Sequence, residues 1–435
     1  MESIEKKQLR PTPPWRYAVG MFGTSIPINM FKTYAAYFYV DMLGLTTPQF
    51  ALVLSIYTVI DAIDNPVYGF LSDCTRSRWG RRRPWLVIGA PLLALSFIMF
   101  YNVPAFIGPG SLFWYMLVMY ILTGTLDSLI NSNYGALFPE LFKDTDVRAK
   151  TNAMRQIFQL VAMIISIALT PVVAKAIGYS LTSIIYAALA VAVILFMTLG
   201  CHEDPALQEL PRPQLFGSIL AIVKNPKFWL YGVTNAAYFA GQGVLLSAAS
   251  FFVKYTLNAD DSSATILQGV VLLVAIACIP IWVRIIKKMT LMPAWRLSFL
   301  IIALGFIPLY FTNTVLTATL ALTVFGFGVA GVSTTMDIVG ANILDEDSAR
   351  YGIQREGTFS SLTGVLNKTS GLFTALAFML VYQLYGYESG DNPGAQPGEA
   401  ARFLMVIFPF VAMAVCFGLS FLVKFKAREE AAPAE

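Results

Sequence analysis

The sequence predicts an all-α membrane protein of twelve transmembrane helices, and three observations predict it. Hydrophobic residues make up 57% of the 435 and charged residues only 13%, against about 25% charged in a water-soluble chain. Apolar runs of roughly 20 residues, enough to cross a bilayer as a helix, recur along nearly the whole chain. At about 36 residues per helix and loop, the length holds about twelve such units. A soluble helical solenoid repeats at a similar period but needs a charged outer face, which this composition cannot supply.

The spans fall near residues 17–41, 49–72, 84–103, 112–138, 152–174, 180–200, 228–253, 263–285, 295–312, 315–343, 358–385 and 400–423. Ahead of the first, MESIEKKQLRPTPPWR is charged and Pro-rich. It lacks the short apolar region and cleavage site of a secretory signal, so the first helix is expected to act as the insertion signal. The longest polar interruption, 201–227, divides the chain into an N-terminal six-helix bundle (1–200) and a C-terminal six-helix bundle with a cytoplasmic tail (228–435). Within it, LFGSILAIV reads as a short interfacial helix.

The basic residues orient the spans. Of the 30 lysines and arginines, Lys175, Lys254 and Arg402 lie in alternate loops, and Lys32, Arg155 and Lys368 lie inside or at the edge of spans. Every other one falls in the N-terminus, 73–83, 140–150, 201–227, 284–296, 344–356 or the C-terminus. Basic loops stay cytoplasmic, so both termini are expected in the cytoplasm of a cell-membrane protein. An even span count requires the same.

Several function classes lack material. Cys74, Cys201, Cys278 and Cys416 are scattered, without a CxxC pair, and His202 is the sole histidine. Zinc chemistry and His-based acid–base catalysis have little to work with. No phosphate-cradling Walker A motif is present, and nothing points to nucleic acid. An enzyme is not expected, no catalytic residue or metal site is assigned, and no cofactor is expected beyond a coupling Na+ or H+.

Polar stripes mark a wet interior. Ser25, Asn29, Lys32 and Tyr39 share one face of span 1, and Tyr231, Asn235, Tyr238 and Gln242 share one face of span 7. Such stripes are costly against lipid. Hydrogen-bond glue between helices is the alternative reading. Stripes in corresponding helices of both halves favour a shared cavity.

Residues 61–85, DAIDNPVYGFLSDCTRSRWGRRRPW, carry the most specific pattern. Two carboxylates open it inside span 2. The chain then leaves the membrane through Gly69, Asp73 and five arginines. Asp73 can pair with the guanidinium groups of Arg81, Arg82 and Arg83 as a cytoplasmic gate holding helix ends together. Plain positive-inside charge explains the arginines but not the Gly69/Asp73 spacing.

GFLSD…GRRR resembles the signature loop of the major facilitator superfamily. With SRWGRRRPW, with LFPELFKDTDVRAKTNAMR at 137–155, and with LDEDSARYGIQREG at 344–357 followed by Asn367–Lys368, the chain is similar to the glycoside–pentoside–hexuronide:cation symporter family, of which melibiose permease is the type. The resemblance implies two pseudo-symmetric six-helix bundles and cation-coupled sugar uptake by alternating access. The partners implied are a small-molecule solute, a coupling cation and the lipid bilayer, around a monomer. It also implies a cation site at Asp61, Asp64 and Asn65, where the family usually reads Asp-Ala-x-x-Asp-Pro. On a helix Asp64 lies about 60° from Asp61 and Asn65 about 40°, so their oxygens can converge. A structural Asp pair bonded to neighbouring helices is the alternative there.

The sugar site departs from the melibiose type. Thr24-Ser25 replaces a Lys-Asp pair, Asn131 stands for an Asp with Asp127 one turn earlier, and Gly135 replaces a stacking aromatic beside Tyr134. Arg155 and Lys368 match the family's basic positions. Ser25, Asn29, Lys32, Asp127, Asn131, Tyr134, Arg155, Asn235, Tyr238, Gln242 and Lys368 form the expected substrate set. Lys32, Arg155 and Lys368 suggest an anionic sugar, unless Lys32 pairs internally with Asp61 or Asp64. Carriage of a non-sugar amphiphile or lipid, and a transport-dead membrane sensor, are the alternatives.

Overall fold

The computed structural model describes residues 11–205, 215–260, 262–386 and 394–425. The first ten residues, 206–214 of the central segment and the tail from 426 lie outside the described residues. No strand occurs among the described residues.

A short α1 (Pro14–Ala18) leads into α2 (Gly20–Ala36), which continues as a π-helical turn, Tyr37–Met42. Together they form span 1. α3 (Thr47–Cys74) starts on a capping box of Thr46 and Gln49 with proline in its first turn. α4 (Arg83–Tyr101), α5 (Pro109–Leu141) and α9 (Pro226–Tyr255) also carry proline at the first turn, where its missing N–H costs no helical bond. α6 (Thr145–Met163) is capped by Asp144, whose side chain accepts from the Val147 N–H at 2.9 Å. That cap starts span 5 seven residues before the apolar run does. A second π turn, Ile164–Leu169, joins α6 to α7 (Thr170–Gly200). Gly178, at φ 81°, breaks α7 into the end of span 5 and all of span 6.

The expected short helix is α8 (Leu215–Val223). α10 (Ser262–Met289), α11 (Leu291–Tyr310) and α12 (Val315–Tyr351) follow α9. α12 overruns its apolar segment and absorbs most of the expected loop 344–356, because a helix that leaves the bilayer keeps its backbone groups satisfied. Span 11 is α13 (Glu356–Lys368) and α14 (Ser370–Tyr385), separated at Thr369. Span 12 is α15 (Pro397–Arg402), a π turn Phe403–Ile407 and α16 (Phe408–Ser420).

Among the described residues, ten helices are long and apolar enough to cross a membrane by length and composition. Spans 1 and 5, interrupted by π turns, complete the twelve.

Two compact units result. The first comprises Met1–Ile222, Ile279–Lys287 and Gly340–Val365; the second comprises Val223–Cys278, Lys288–Val339 and Leu366–Glu435. In the first, α4 packs on α5 and α7, α3 on α5, and α2 on α6 and α7. Its aromatic core sets Phe31 4.8 Å from Phe100 and 4.5 Å from Tyr120, centroid to centroid. In the second, α9 packs on α14 and α16, and α16 on α11, around Trp295 and Phe299.

Candidate functional site

Asp61 stands midway along the 28 residues of α3, about 18 Å along the axis from Asp73. Its Oδ1 accepts the Ser128 hydroxyl of α5 at 3.0 Å and the Asn65 amide N–H at 3.0 Å. The Tyr57 hydroxyl, one turn earlier, also bonds it. Asp64 Oδ2 accepts the Thr125 hydroxyl at 2.9 Å. Gly124 makes room for this face, since a Cβ there would run into the Tyr57 ring and hydroxyl. The i, i+3 pair Thr125 and Ser128 therefore meets the i, i+3 pair Asp61 and Asp64 across the helix contact. Asn65 turns its amide nitrogen inward, donating also to the Asp61 carbonyl at 2.7 Å. With two acceptors in front of it, that amide is a donor to the site, whereas its oxygen is the expected ligand.

Asp127, on the neighbouring face of α5, accepts the Asn131 amide and pairs with Lys32, Nζ to Oδ2 3.8 Å. The internal partner of Lys32 is thus Asp127, where Asp61 or Asp64 is expected. The Lys32 side chain remains 58% exposed. Along the same stripe Ser25 is buried and Asn29 half-buried. Tyr39 leaves the stripe: the π turn points its hydroxyl into α4, where it donates to the Phe100 carbonyl at 2.8 Å.

Arg155 lies buried beside three aromatic faces, 5.7 Å from the Tyr17 centroid, 5.2 Å from Tyr134 and 4.9 Å from Phe138. It donates to Asn152 Oδ1 at 3.2 Å. Tyr17 and Tyr134 stack at 4.7 Å and exchange hydroxyl-to-carbonyl hydrogen bonds. These residues form a closed aromatic cage. In the second unit, Asn235 donates to Asn367 Oδ1 at 2.9 Å and Gln242 to the Tyr238 hydroxyl at 2.8 Å. Lys368, next to Asn367, ends α13.

At the far end of α3 lies a sealed charge cluster. Asp73 Oδ1 accepts Arg82 Nη2 and the Gly357 N–H (3.0 Å); Oδ2 accepts the Thr358 N–H (2.9 Å) and hydroxyl (2.7 Å). Asp73 thereby caps the N-terminus of α13, where backbone N–H groups and the helix dipole favour an anion. Glu140 Oε1 accepts Arg81 Nη2 at 2.8 Å and Arg82 Nε at 2.9 Å. Glu356 Oε2 lies 3.3 Å from Arg81 Nη2. Glu203 accepts the backbone N–H groups of Arg81, Arg82 and Arg83 at 2.6 to 3.2 Å, capping α4.

Burial lowers the Arg82 pKa, but Glu140, Asp73 and Glu356 more than offset this, so its guanidinium stays charged. Burial, followed by the neighbouring Glu140 carboxylate, raises the Glu203 carboxyl above its ordinary value. Arg83 instead turns to the Thr198 carbonyl at 3.0 Å. The helices approach at two glycines: a Cβ on Gly69 would meet the Gly357 carbonyl, and one on Gly357 would meet that of Gly69. Close by, Arg148 pairs with Asp345 at 2.7 Å and donates to Asn342 at 2.8 Å.

The structure thus brings Asp61, Asp64 and Asn65 together, joins Lys32 to Asp127 and Asn131, and joins Asp73 to Arg82. Sequence reasoning misses Tyr57, Thr125, Ser128, Glu140, Glu203 and Glu356. The Thr125/Ser128 spacing beside Gly124 is the one signal that could have found a partner face for Asp61.

The family described as MFS/sugar transport protein matches residues 16–426. The isoprimeverose transporter of Lactiplantibacillus pentosus is 25% identical over 96% of this chain and 88% of its own length. The glucuronide carrier protein homolog of Escherichia coli strain K12 is 23% identical over 93% of this chain and 91% of its own. The crystal structure of the E. coli fucose:proton symporter superposes with a TM-score of 0.66 at 12% identity, covering 95% of this chain and 99% of that one.

Proposed function

The chain belongs to the MFS/sugar transport protein family, and on that premise we propose that it is a cation-coupled symporter of a sugar, glycoside or sugar acid working by alternating access. It is a multi-pass membrane transporter and not an enzyme. The observation that carries the coupling is the Asp61 cluster: a carboxylate at mid-helix, ringed by Ser128, Asn65 and Tyr57, with Asp64 one turn on. Ionised carboxylates at membrane depth are costly, and a bound cation resolves the cost.

The ion we assign is the proton. Asn65 presents N–H rather than oxygen to Asp61, which removes a ligand that a hard metal cation would use. The Lys32–Asp127 pair with Asn131 offers donors and acceptors to sugar hydroxyls. A cell-membrane location with both termini cytoplasmic, and a monomer in the lipid bilayer, complete the proposal. The basic loops support the orientation.

In proteoliposomes with sodium and pH gradients imposed separately, accumulation should follow the pH gradient. Asp61→Asn should abolish accumulation while leaving exchange. Accumulation that persists in the variant would move the site elsewhere; accumulation driven by sodium alone would replace the proton. For topology, a single cysteine placed within 73–83 should resist an impermeant thiol reagent on intact cells. Labelling there from outside would reverse the orientation.

A further inference from the structure

We propose that the Tyr57 hydroxyl links the cation site to the solute site. It donates to Asp61 while that carboxylate is ionised, and turns to Asp127 once a cation neutralises Asp61. Asp127 then loosens its hold on Lys32, which becomes available to an anionic sugar. The inference rests on Asp61 as the coupling site, proposed above, and adds the residue through which loading of that site reaches the solute.

The local geometry fixes the ring and leaves the hydroxyl a choice. Tyr57 is 8% exposed. Its ring meets Tyr120 edge-on at 5.1 Å and lies over Gly124, where any Cβ would collide with it. Tyr57 and Asp61 are one turn apart on α3, while Gly124, Asp127 and Ser128 share one face of α5 at i, i+3 and i+4. A ring laid on Gly124 therefore carries its hydroxyl toward the carboxylates of both helices. It bonds Asp61, and Asp127 and Asp64 act on it electrostatically. A phenol has a single O–H to donate, so it serves one carboxylate at a time. Hydrogen bonds to an ionised acceptor are the stronger ones, so the hydroxyl follows the charge.

The two rival acceptors differ in what else holds them. Asp61 accepts the Ser128 hydroxyl and the Asn65 amide at 3.0 Å each, and keeps both when the tyrosine leaves. Asp127 accepts the Asn131 amide and meets Lys32 at 3.8 Å, with the lysine side chain 58% exposed. Of these the lysine contact is the looser, so a donor arriving at Asp127 weakens it first. Asp64, the third acid near this hydroxyl, is engaged by the Thr125 hydroxyl at 2.9 Å. The tyrosine keeps its hydrogen throughout: only the acceptor changes, and no covalent bond is made or broken.

The test reads Lys32 itself and needs no solute. Purified full-length protein is treated with limiting acetic anhydride, and acetylation of Lys32 is measured by mass spectrometry against the exposed Lys175. Asp61→Asn stands in for the neutralised site. It should raise Lys32 acetylation by about two- to fivefold, the change expected when an exposed ion pair is lost. Adding Tyr57→Phe keeps the ring and removes the hydroxyl, and should abolish most of that rise. If the double variant does not fold, Gly124→Ala, whose Cβ displaces the Tyr57 ring, replaces Tyr57→Phe. No rise in Asp61→Asn, or a rise of which half or more survives without the hydroxyl, would overturn the link. The proteoliposome assay decides whether Asp61 couples transport and this labelling decides whether Tyr57 joins it to Lys32, so the two readings fail separately.

Discussion

Replacing Gly69 by alanine is expected to open the cluster at the end of α3. The new Cβ runs into the Gly357 carbonyl oxygen and Ser361 Oγ. The obstacle is backbone, so the helices must separate. Overpacking of this kind costs about 1–3 kcal/mol. Separation also stretches the Asp73 bonds to the Gly357 and Thr358 N–H groups, now 3.0 and 2.9 Å, and losing one charge-assisted hydrogen bond adds about 1.5–3 kcal/mol. Better helix propensity returns roughly 0.5–1 kcal/mol. A net cost of at least about 1.5 kcal/mol shifts the closed-to-open ratio roughly tenfold or more. Cys74 alkylation reads that shift, and Gly357→Ala should behave alike. Gly364 is the control: a Cβ there meets nothing within 4 Å, so Gly364→Ala should label as wild type does. If Gly69→Ala labels no faster than Gly364→Ala, the close crossing does not hold the cluster shut.

Two further outcomes follow from the charges. The Glu203 carboxyl is raised by burial and by Glu140, and a carboxyl raised on folding contributes stability that is lost as pH rises through its folded pKa. Thermal melts should therefore show wild type losing ground to Glu203→Gln as pH climbs out of the ordinary carboxylate range; wild type gaining instead would contradict the assignment. For substrate charge, Lys32 is expected to receive an anionic sugar in exchange for Asp127, so uronates should compete for uptake better than matched neutral sugars. Lys32→Gln should erase the difference, and equal competition in both proteins would make the Lys32–Asp127 pair structural.

The spans were legible because the bilayer enforces them: an apolar run of the right length has few other uses. Their interruptions were less so. The π turns at Tyr37–Met42 and Ile164–Leu169 lie within apolar sequence that carries no local mark of them, and α12 passes beyond its apolar run into LDEDSARY. Asp61, Asp64 and Asp73 announced themselves because a carboxylate in or beside an apolar helix is costly and must be resolved. Their partners gave no such signal. Ser128, Thr125 and Tyr57 are ordinary residues of membrane helices, and Glu140, Glu203 and Glu356 each read as an unremarked charge at a helix end.

What the structure adds is the grouping of these charges. Around Asp61, the acids Asp61, Asp64 and Asp127 stand close together, and Lys32 lies beside Asp127. At the end of α3, four acids enclose two arginines. Both clusters occur in the first unit and on one helix, α3, about 18 Å apart. Carboxylates at mid-helix are costly at membrane depth and call for a cation to enter and leave; those at the helix end are held by the guanidinium groups of Arg81 and Arg82. Because the two are joined by a continuous helix, a change that tilts α3 at Gly69 should also move the pH dependence of uptake. Measured in proteoliposomes, Gly69→Ala should shift that profile while Gly364→Ala does not. A profile unmoved by Gly69→Ala, despite faster Cys74 labelling, would show that opening the helix end does not reach Asp61.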